Sequence, residues 1–208
     1  MKVYLVRHGE TDWNRKEIYQ GQEDIPLNEK GKKEARNLAL TLKGIEISSI
    51  YSSDLKRAKE TAEIIAKSLG IQTVIYKESL REMNFGEWTG KSVFEMEENS
   101  ALFQLWSKDP WNISPPEGET LKELASRVRK EAEEIFLKHY GQNVLVVTHA
   151  GPIKAIIFDL IGSTGNPYWN LDISHDTIVV IEKEKRYKIT LVKIKPFLDN
   201  LHKNLFLL

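Results

Sequence analysis

The chain has 208 residues, with 30 Lys and Arg against 30 Asp and Glu, so its formal net charge is zero. That balance does not favour nucleic acid or an anionic membrane surface as a partner. Cysteine is absent, which excludes disulfides, thiolate metal sites and a cysteine nucleophile. The chain enters a strand almost at once without a signal-peptide pattern, and no apolar run approaches the ~20 residues of a membrane helix. We therefore expect a single cytoplasmic domain over residues 1–208.

Short apolar segments alternate with amphipathic segments in the first part of the chain. The apolar runs at 3–6, 47–51 and 71–76 predict strands, and the helical spacing of apolar residues predicts helices over 29–43 and 55–69. Residues 13–26 between the first strand and the first helix are rich in polar and turn residues, so a loop is expected there.

The pattern changes at residue 77, where an aromatic-rich stretch begins that is interrupted by prolines. We interpret 77–118 as an insertion with a helix over 91–107, since about forty residues would be only marginally stable alone. An amphipathic helix over 119–139, an apolar strand over 143–147 and a helix over 151–161 follow, and strands over 177–182 and 188–194 close the chain.

This alternation predicts an α/β fold with a mostly parallel central sheet and helices on both of its faces. The insertion is expected to lie over the C-terminal edge of the strands. Ligands of such sheets bind beyond the C-terminal strand ends, so the residues that follow each strand are candidates for a functional site.

Ionisable or anion-binding residues follow four of the predicted strands. Arg7 and His8 follow the first strand; Ser52, Ser53 and Arg57 the second; Arg81 and Glu82 the third; and Thr148, His149 and Gly151 the fourth. Because these four strand ends are expected to meet at one edge of the sheet, the sequence predicts one shared site there.

The residue types at this edge suit attack of an imidazole on phosphorus. A histidine nucleophile must be neutral, and neighbouring Arg7, Arg57 and His149 would lower the pKa of His8. The same neighbours would bind phosphoryl oxygens and stabilise the transition state. Glu82 is placed to protonate the leaving alkoxide and then to activate water against a phosphohistidine. This chemistry requires neither a metal nor another cofactor.

These segments carry a family resemblance. LVRHGETDWN, GQEDIPLNEKG, YSSDLKRAKET, LREMNFGEWTG, PPEGET and VVTHAG occur in that order and resemble the phosphoglycerate mutase-like branch of the histidine phosphatase superfamily. The resemblance implies that His8 is phosphorylated, that Glu82 donates and accepts the proton, and that Arg7, Arg57 and His149 complete the phosphate pocket.

The resemblance also implies further contacts to the substrate. Asn14 would donate to the phosphate, beside Thr11 in the same polar segment. Gln20 and Gly21 would line the substrate entrance, and Gly151 would bring a backbone N–H close.

Three functions are compatible with these residues. The favoured one is a phosphatase acting on a small phosphorylated metabolite, because the region after Glu82 is short, aromatic and acidic, with Lys91 and Lys108 as its cations. The second is a phosphoglycerate mutase that needs a bisphosphate primer. Mutases of this family usually have a longer, basic insertion after the glutamate. The third is a phospho-ligand binding module, which is disfavoured because binding alone needs no proton donor.

Two features depart from the family pattern. His175 stands about where relatives usually have an asparagine, and it is either a satisfied histidine at a strand start, the favoured interpretation, or a substrate contact. The apolar tail PFLDNLHKNLFLL would pack on the core or form a homodimer contact, or it would cover the pocket and bring His202 to the substrate.

Overall fold

The computed structural model of the chain describes residues 1–161, 171–183 and 187–193. A six-stranded sheet lies at their centre, in the order β3-β2-β4-β1-β5-β6. Its strands are β1 (Lys2–Arg7), β2 (Ile47–Ser52), β3 (Val74–Tyr76), β4 (Asn143–Thr148), β5 (Thr177–Lys183) and β6 (Tyr187–Lys193). The first four strands of that order run parallel, while β5 is antiparallel to both β1 and β6. The predicted α/β fold with a mostly parallel sheet is therefore confirmed.

Helices cover both faces of this sheet. They are α1 (Asp12–Arg15), α2 (Glu29–Leu42), α3 (Lys56–Leu69), α4 (Val93–Asn99), α5 (Ala101–Lys108), α6 (Leu121–Lys138) and α7 (Ala150–Ile161). Alternate residues of β1 enter different cores: Val3 and Leu5 pack with residues of α6 and α7, whereas Tyr4 and Val6 pack with residues of α2 and α3. This alternation is the period-2 side-chain pattern of a strand buried on both faces. None of the described helices is long and apolar enough to cross a membrane.

Three predicted elements differ from the structure. The strand predicted over 71–76 is shortened to β3, because Gly70 ends α3 in the left-handed conformation and the N–H of Ile71 bonds back to Ala66. The single helix predicted over 91–107 is split at Ser100, which leaves helical geometry and caps α5. The loop predicted over 13–26 holds the end of the short helix α1.

The other predicted helices and strands match within two residues, and residue 194, the predicted end of the last strand, lies outside the described residues.

The insertion shares its core with the rest of the chain. Trp88 and Trp106 are buried, and their rings meet edge to face with centroids 5.2 Å apart, within the same apolar cluster as the sheet residues of β1 and β4. Tyr19, from the loop after α1, packs against Phe85 of the insertion at a ring distance of 4.7 Å. Backbone hydrogen bonds join Tyr19 to residues 90 and 91. The insertion is thus fixed both to the sheet and to the loop that follows β1.

Candidate active site

The C-terminal ends of β1 and β4 lie side by side and bring two histidines together. Arg7 pairs with Thr148 in the sheet register, and the N–H of His8 donates to the carbonyl of Thr148 at 2.9 Å. The rings of His8 and His149 are consequently 5.0 Å apart. Because β1 and β4 are parallel neighbours, two histidines that are 141 residues apart in the sequence lie next to each other.

The imidazole of His8 is held in one tautomer. Its Nδ1 lies 2.7 Å from the carbonyl oxygen of Gly9, and a carbonyl oxygen only accepts hydrogen bonds. Nδ1 therefore carries the proton, and Nε2 keeps its lone pair. The residue is 2% exposed, and burial lowers its pKa well below the usual range, with Arg57, His149 and Arg7 lowering it further. At neutral pH His8 is an uncharged imidazole with one free nitrogen lone pair.

Two arginines lie beside this ring. Arg57, in the first turn of α3, is 0% exposed and donates to the carbonyls of Glu23 and Gly21, each at 2.7 Å. Burial lowers its pKa to about 10, so it remains a cation at neutral pH. Arg7 donates to the carbonyl of Ile173 at 3.0 Å, and its pKa is also lowered by burial. The backbone carbonyls fix where each guanidinium points.

Three buried nitrogens of the site lack a hydrogen-bond partner within the described part of the chain. They are Nε of Arg7, Nε of Arg57 and Nδ1 of His149. The other ring nitrogen of His149 lies 2.9 Å from the hydroxyl oxygen of Ser53. His149 directly precedes α7, whose N-terminus carries a partial positive charge. Buried cations and donors of this kind are the setting that an anion such as phosphate requires.

Glu82 reaches the same edge from the segment after β3. Its Oε1 accepts from the N–H of Met83 at 2.8 Å, and its Oε2 accepts from the N–H of Gly151 at 3.3 Å. A Cβ atom at position 151 would lie 2.1 Å from Oε1, far inside contact distance. Gly151 is thus glycine because the carboxylate occupies the space of a side chain. Its N–H, predicted to come close to the substrate, donates to Glu82 here, and a contact with the substrate remains a prediction.

The backbone around Glu82 is fixed by side-chain contacts that the sequence analysis did not predict. Thr148 donates its hydroxyl to the carbonyl of Leu80 at 2.6 Å. Gln22 and Arg127 both donate to the carbonyl of Glu82, at 3.2 and 2.9 Å. Hydrogen bonds to a carbonyl do not depend on the residue type that carries it, so no sequence signal identifies these partners.

The loop residues that were predicted to bind substrate bind each other. The hydroxyl of Thr11 caps α1 at the N–H of Asn14 and lies 3.0 Å from Oε1 of Gln20. Oδ1 of Asn14 in turn accepts from the N–H of Thr11. Gly21 contributes its carbonyl to Arg57. Direct substrate contacts of these four residues remain predictions, and their observed contacts shape the loop beside the arginines.

His175 lies within the site. Its Nδ1 is 2.6 Å from the carbonyl oxygen of His8, which it must therefore bond as a donor, and the two rings are 5.6 Å apart. Burial lowers the pKa of His175 to about 4, with Arg7 adding to the effect. The residue is thus a satisfied, neutral histidine that also borders the nucleophile, and its contact with substrate remains a prediction. His202 lies outside the described residues.

Lys154 is a further cation near the site that the sequence analysis did not identify. It lies one turn into α7 and is partly buried. Burial lowers its pKa, while the charges of Glu82 and Arg7 act on it from nearby. Among the described residues, no group of three or more His, Cys, Asp and Glu side chains is arranged to hold a metal ion.

Comparison with known proteins decides the family. The model of the histidine phosphatase superfamily (branch 1) matches residues 3–195. The chain belongs to the histidine phosphatase superfamily. The resemblance predicted from the motifs is therefore confirmed, and the chain is a phosphoric monoester hydrolase of this superfamily.

Individual relatives agree with this assignment. The chain is 35% identical over 192 residues to "Phosphoserine phosphatase 1" of Hydrogenobacter thermophilus, covering 92% of this chain and 90% of that protein. It is 36% identical over 166 residues to "Probable phosphoglycerate mutase GpmB" of Escherichia coli, covering 78% and 75% of the two chains. The structure of Bacillus stearothermophilus YhfR superposes with a TM-score of 0.83 at 32% identity, covering 90% of this chain and 94% of that one.

Proposed function

We propose that this histidine phosphatase hydrolyses small phosphomonoesters through a phosphohistidine at His8, without a metal ion. The observation that carries the proposal is the 2.7 Å contact between Nδ1 of His8 and the carbonyl of Gly9. It leaves Nε2 of a buried, neutral imidazole with its lone pair beside two guanidinium groups. A neutral imidazole with a free lone pair beside two cations is suited to attack an anionic phosphoryl group.

In the first step, Nε2 of His8 attacks phosphorus, so that a P–N bond forms while the bond to the leaving oxygen breaks. Glu82 delivers a proton to that oxygen, which leaves as an alcohol. Arg7, Arg57 and His149 hold the equatorial oxygens and stabilise the charge that spreads over them. Burial lowers the pKa of His149 well below its usual range, so that residue acts as a neutral hydrogen-bond donor. The two arginines supply the positive charge that a metal ion supplies in other phosphoryl-transfer enzymes.

In the second step, water attacks the phosphohistidine. Glu82, now a carboxylate, accepts a proton from the water, the P–N bond breaks and inorganic phosphate leaves. His8 returns to its neutral form with the proton still on Nδ1. The N–H groups of Met83 and Gly151 hold the Glu82 carboxylate in place for this exchange.

Phosphoserine is the first substrate to test, because of the similarity to a protein named phosphoserine phosphatase. We also propose that the substrate is a small metabolite and that the protein acts in the cytoplasm. Steady-state kinetics with phosphoserine, α-ribazole phosphate and p-nitrophenyl phosphate would rank the candidates by kcat/KM.

The mechanism is tested by two variants. His8→Ala removes the phosphoryl acceptor, so turnover of every substrate is expected to cease. Glu82→Gln is expected to lower kcat/KM by about 100-fold for an alkyl phosphate, since general acid catalysis contributes at least that much. Normal turnover in His8→Ala would refute the assignment of the nucleophile.

A phosphoglycerate mutase remains the second candidate, because of the similarity to GpmB. A mutase must retain a doubly phosphorylated intermediate, which favours additional cations around the pocket. Helix α4 of the insertion is acidic, with the sequence VFEMEEN, and Lys91 and Lys108 are both exposed. Transfer between the positions of phosphoglycerate that outpaces hydrolysis, measured with a bisphosphoglycerate primer, would favour the mutase.

A further inference from the structure

An ion pair between Arg127 and Glu119 contacts the backbone segment that carries Glu82. Glu82 lies between two short 3₁₀ turns, Glu78–Leu80 and Gly86–Trp88, in backbone that belongs to neither a helix nor a strand. Its backbone groups therefore lack the partners that a regular element would provide. Arg127 of α6 and Glu119, which lies just before that helix, supply partners instead.

Arg127 binds this segment at two points. Its Nη1 donates to the carbonyl of Ser79 at 2.8 Å, and its Nη2 donates to the carbonyl of Glu82 at 2.9 Å. The same guanidinium binds both carboxylate oxygens of Glu119, through Nε at 3.0 Å and Nη2 at 2.7 Å. The planar geometry of a guanidinium allows such a set of bonds, which an ammonium group cannot reproduce.

Glu119 completes the arrangement from the other side. Its Oε1 accepts from the N–H of Asn84 at 2.8 Å, and its own N–H donates to the carbonyl of Asn84 at 2.9 Å. The ion pair thus fixes the backbone three residues before Glu82, at Glu82 and two residues after it. The side chains of the pair are 23% and 15% exposed, so water screens it less than a surface pair.

We infer that Arg127 and Glu119 are positioning residues for the proton donor, in that they hold the backbone of residues 79–84 so that the Glu82 carboxyl meets the leaving oxygen. This inference rests on the proposed role of Glu82 in proton transfer. Leu80 and Met83 anchor the same segment in the core by burial, but apolar packing does not orient the carbonyl of Glu82. A displacement of about 1 Å in a catalytic group costs about 100-fold in rate, so the orientation has a measurable consequence.

The inference predicts a loss that depends on the leaving group. Arg127→Met keeps an unbranched apolar stem but removes the guanidinium and all of its hydrogen bonds. We expect kcat/KM for β-glycerophosphate to fall at least 10-fold, because its alkoxide needs a proton. We expect kcat/KM for p-nitrophenyl phosphate to fall less than 3-fold, because nitrophenolate leaves without one. The parameter kcat/KM is used because it ends with departure of the first leaving group and is unaffected by the later hydrolysis step.

A matched control lies two residues further along α6. Arg129 is exposed and pairs with Glu133 and Asp159 on the surface, so Arg129→Met is expected to change both values less than 2-fold. Glu119→Gln provides a second variant that keeps the shape of the carboxylate but not its charge. It is expected to show the same leaving-group selectivity as Arg127→Met, and it decides the question if Arg127→Met does not fold.

The outcomes separate this inference from the proposed function. An equal loss for both substrates in the folded variants, or no loss, would overturn the inference. Glu82→Gln and His8→Ala are measured in the same assay. If Glu82→Gln shows no selectivity for poor leaving groups, the proton-transfer proposal itself fails. If Glu82→Gln is selective and the folded Arg127 or Glu119 variant is not, only the positioning role is wrong.

Discussion

Gly151→Ala should slow the hydrolysis of alkyl phosphates strongly without unfolding the enzyme. The new Cβ would lie 2.1 Å from Oε1 of Glu82, and ordinary contact begins near 3.4 Å, so the carboxylate oxygen must retreat by about 1.3 Å. That oxygen is the end of a flexible side chain, and its displacement therefore costs the fold little. Alanine also favours the first turn of α7 over glycine by up to about 1 kcal/mol.

A shift of this size in the proton donor corresponds to a loss of about 100-fold in the rate of a reaction that needs it. We expect kcat/KM for phosphoserine to fall by about that factor in Gly151→Ala, while the urea midpoint of unfolding stays equal or rises. With p-nitrophenyl phosphate the loss should be less than about 5-fold, because its departure needs no proton.

A double-mutant cycle makes this prediction specific to Glu82. In the Glu82→Gln background the proton donor is already lost, so adding Gly151→Ala should lower kcat/KM for phosphoserine by less than about 3-fold. Additive losses in the double variant, or an unchanged rate in Gly151→Ala alone, would refute the view that this glycine exists to make room for the carboxylate.

Three further variants test other parts of the site. The folded-state pKa of His175 is about 4 and its unfolded value is 6.5, so the unfolded state takes up the proton first as pH falls. His175 therefore costs up to about 3 kcal/mol of stability between pH 6.5 and 4, and in urea titrations His175→Asn should lose less stability over that range than the parent. Phosphate at about 100 times the Kd of the parent protein should raise the parent's free energy of unfolding by about 2.7 kcal/mol. An equal gain for Arg57→Met at the same phosphate concentration would contradict the predicted contact between Arg57 and phosphate. Thr148→Val removes the hydroxyl bonded to the Leu80 carbonyl and should cost about 1–3 kcal/mol in urea titrations; an unchanged midpoint would contradict the importance of that bond.

The position of the site was predictable because strand ends are predictable. Apolar runs marked β1, β2 and β4, and parallel strands present their C-terminal ends at one edge. His8 and His149 follow β1 and β4 directly, and Arg57 lies in the first turn of the helix that follows β2, so identifying the strands was enough to bring them together. Glu82 follows the short edge strand β3, where the predicted strand was too long but its end at residue 76 was correct.

The support of the site was not predictable in the same way. Arg127 lies 45 residues from Glu82, and it binds the segment around Glu82 through backbone carbonyl oxygens, which every residue type presents equally. Nothing in the amphipathic pattern of α6 distinguishes it from the exposed Arg129. The break at Ser100 was missed for a related reason, since the apolar spacing on either side continues as if one helix ran through it.

The hydrogen bond from Thr148 to the carbonyl of Leu80 joins the strand that delivers His149 to the segment that delivers Glu82. We therefore expect this bond to limit how far the two chemical groups can separate for a bulkier substrate. We expect room for different leaving groups to come from the loop at residues 20–25 and from the insertion. During evolution toward a new substrate, we therefore expect substitutions in those two regions, whereas His8, Glu82 and His149 stay the same.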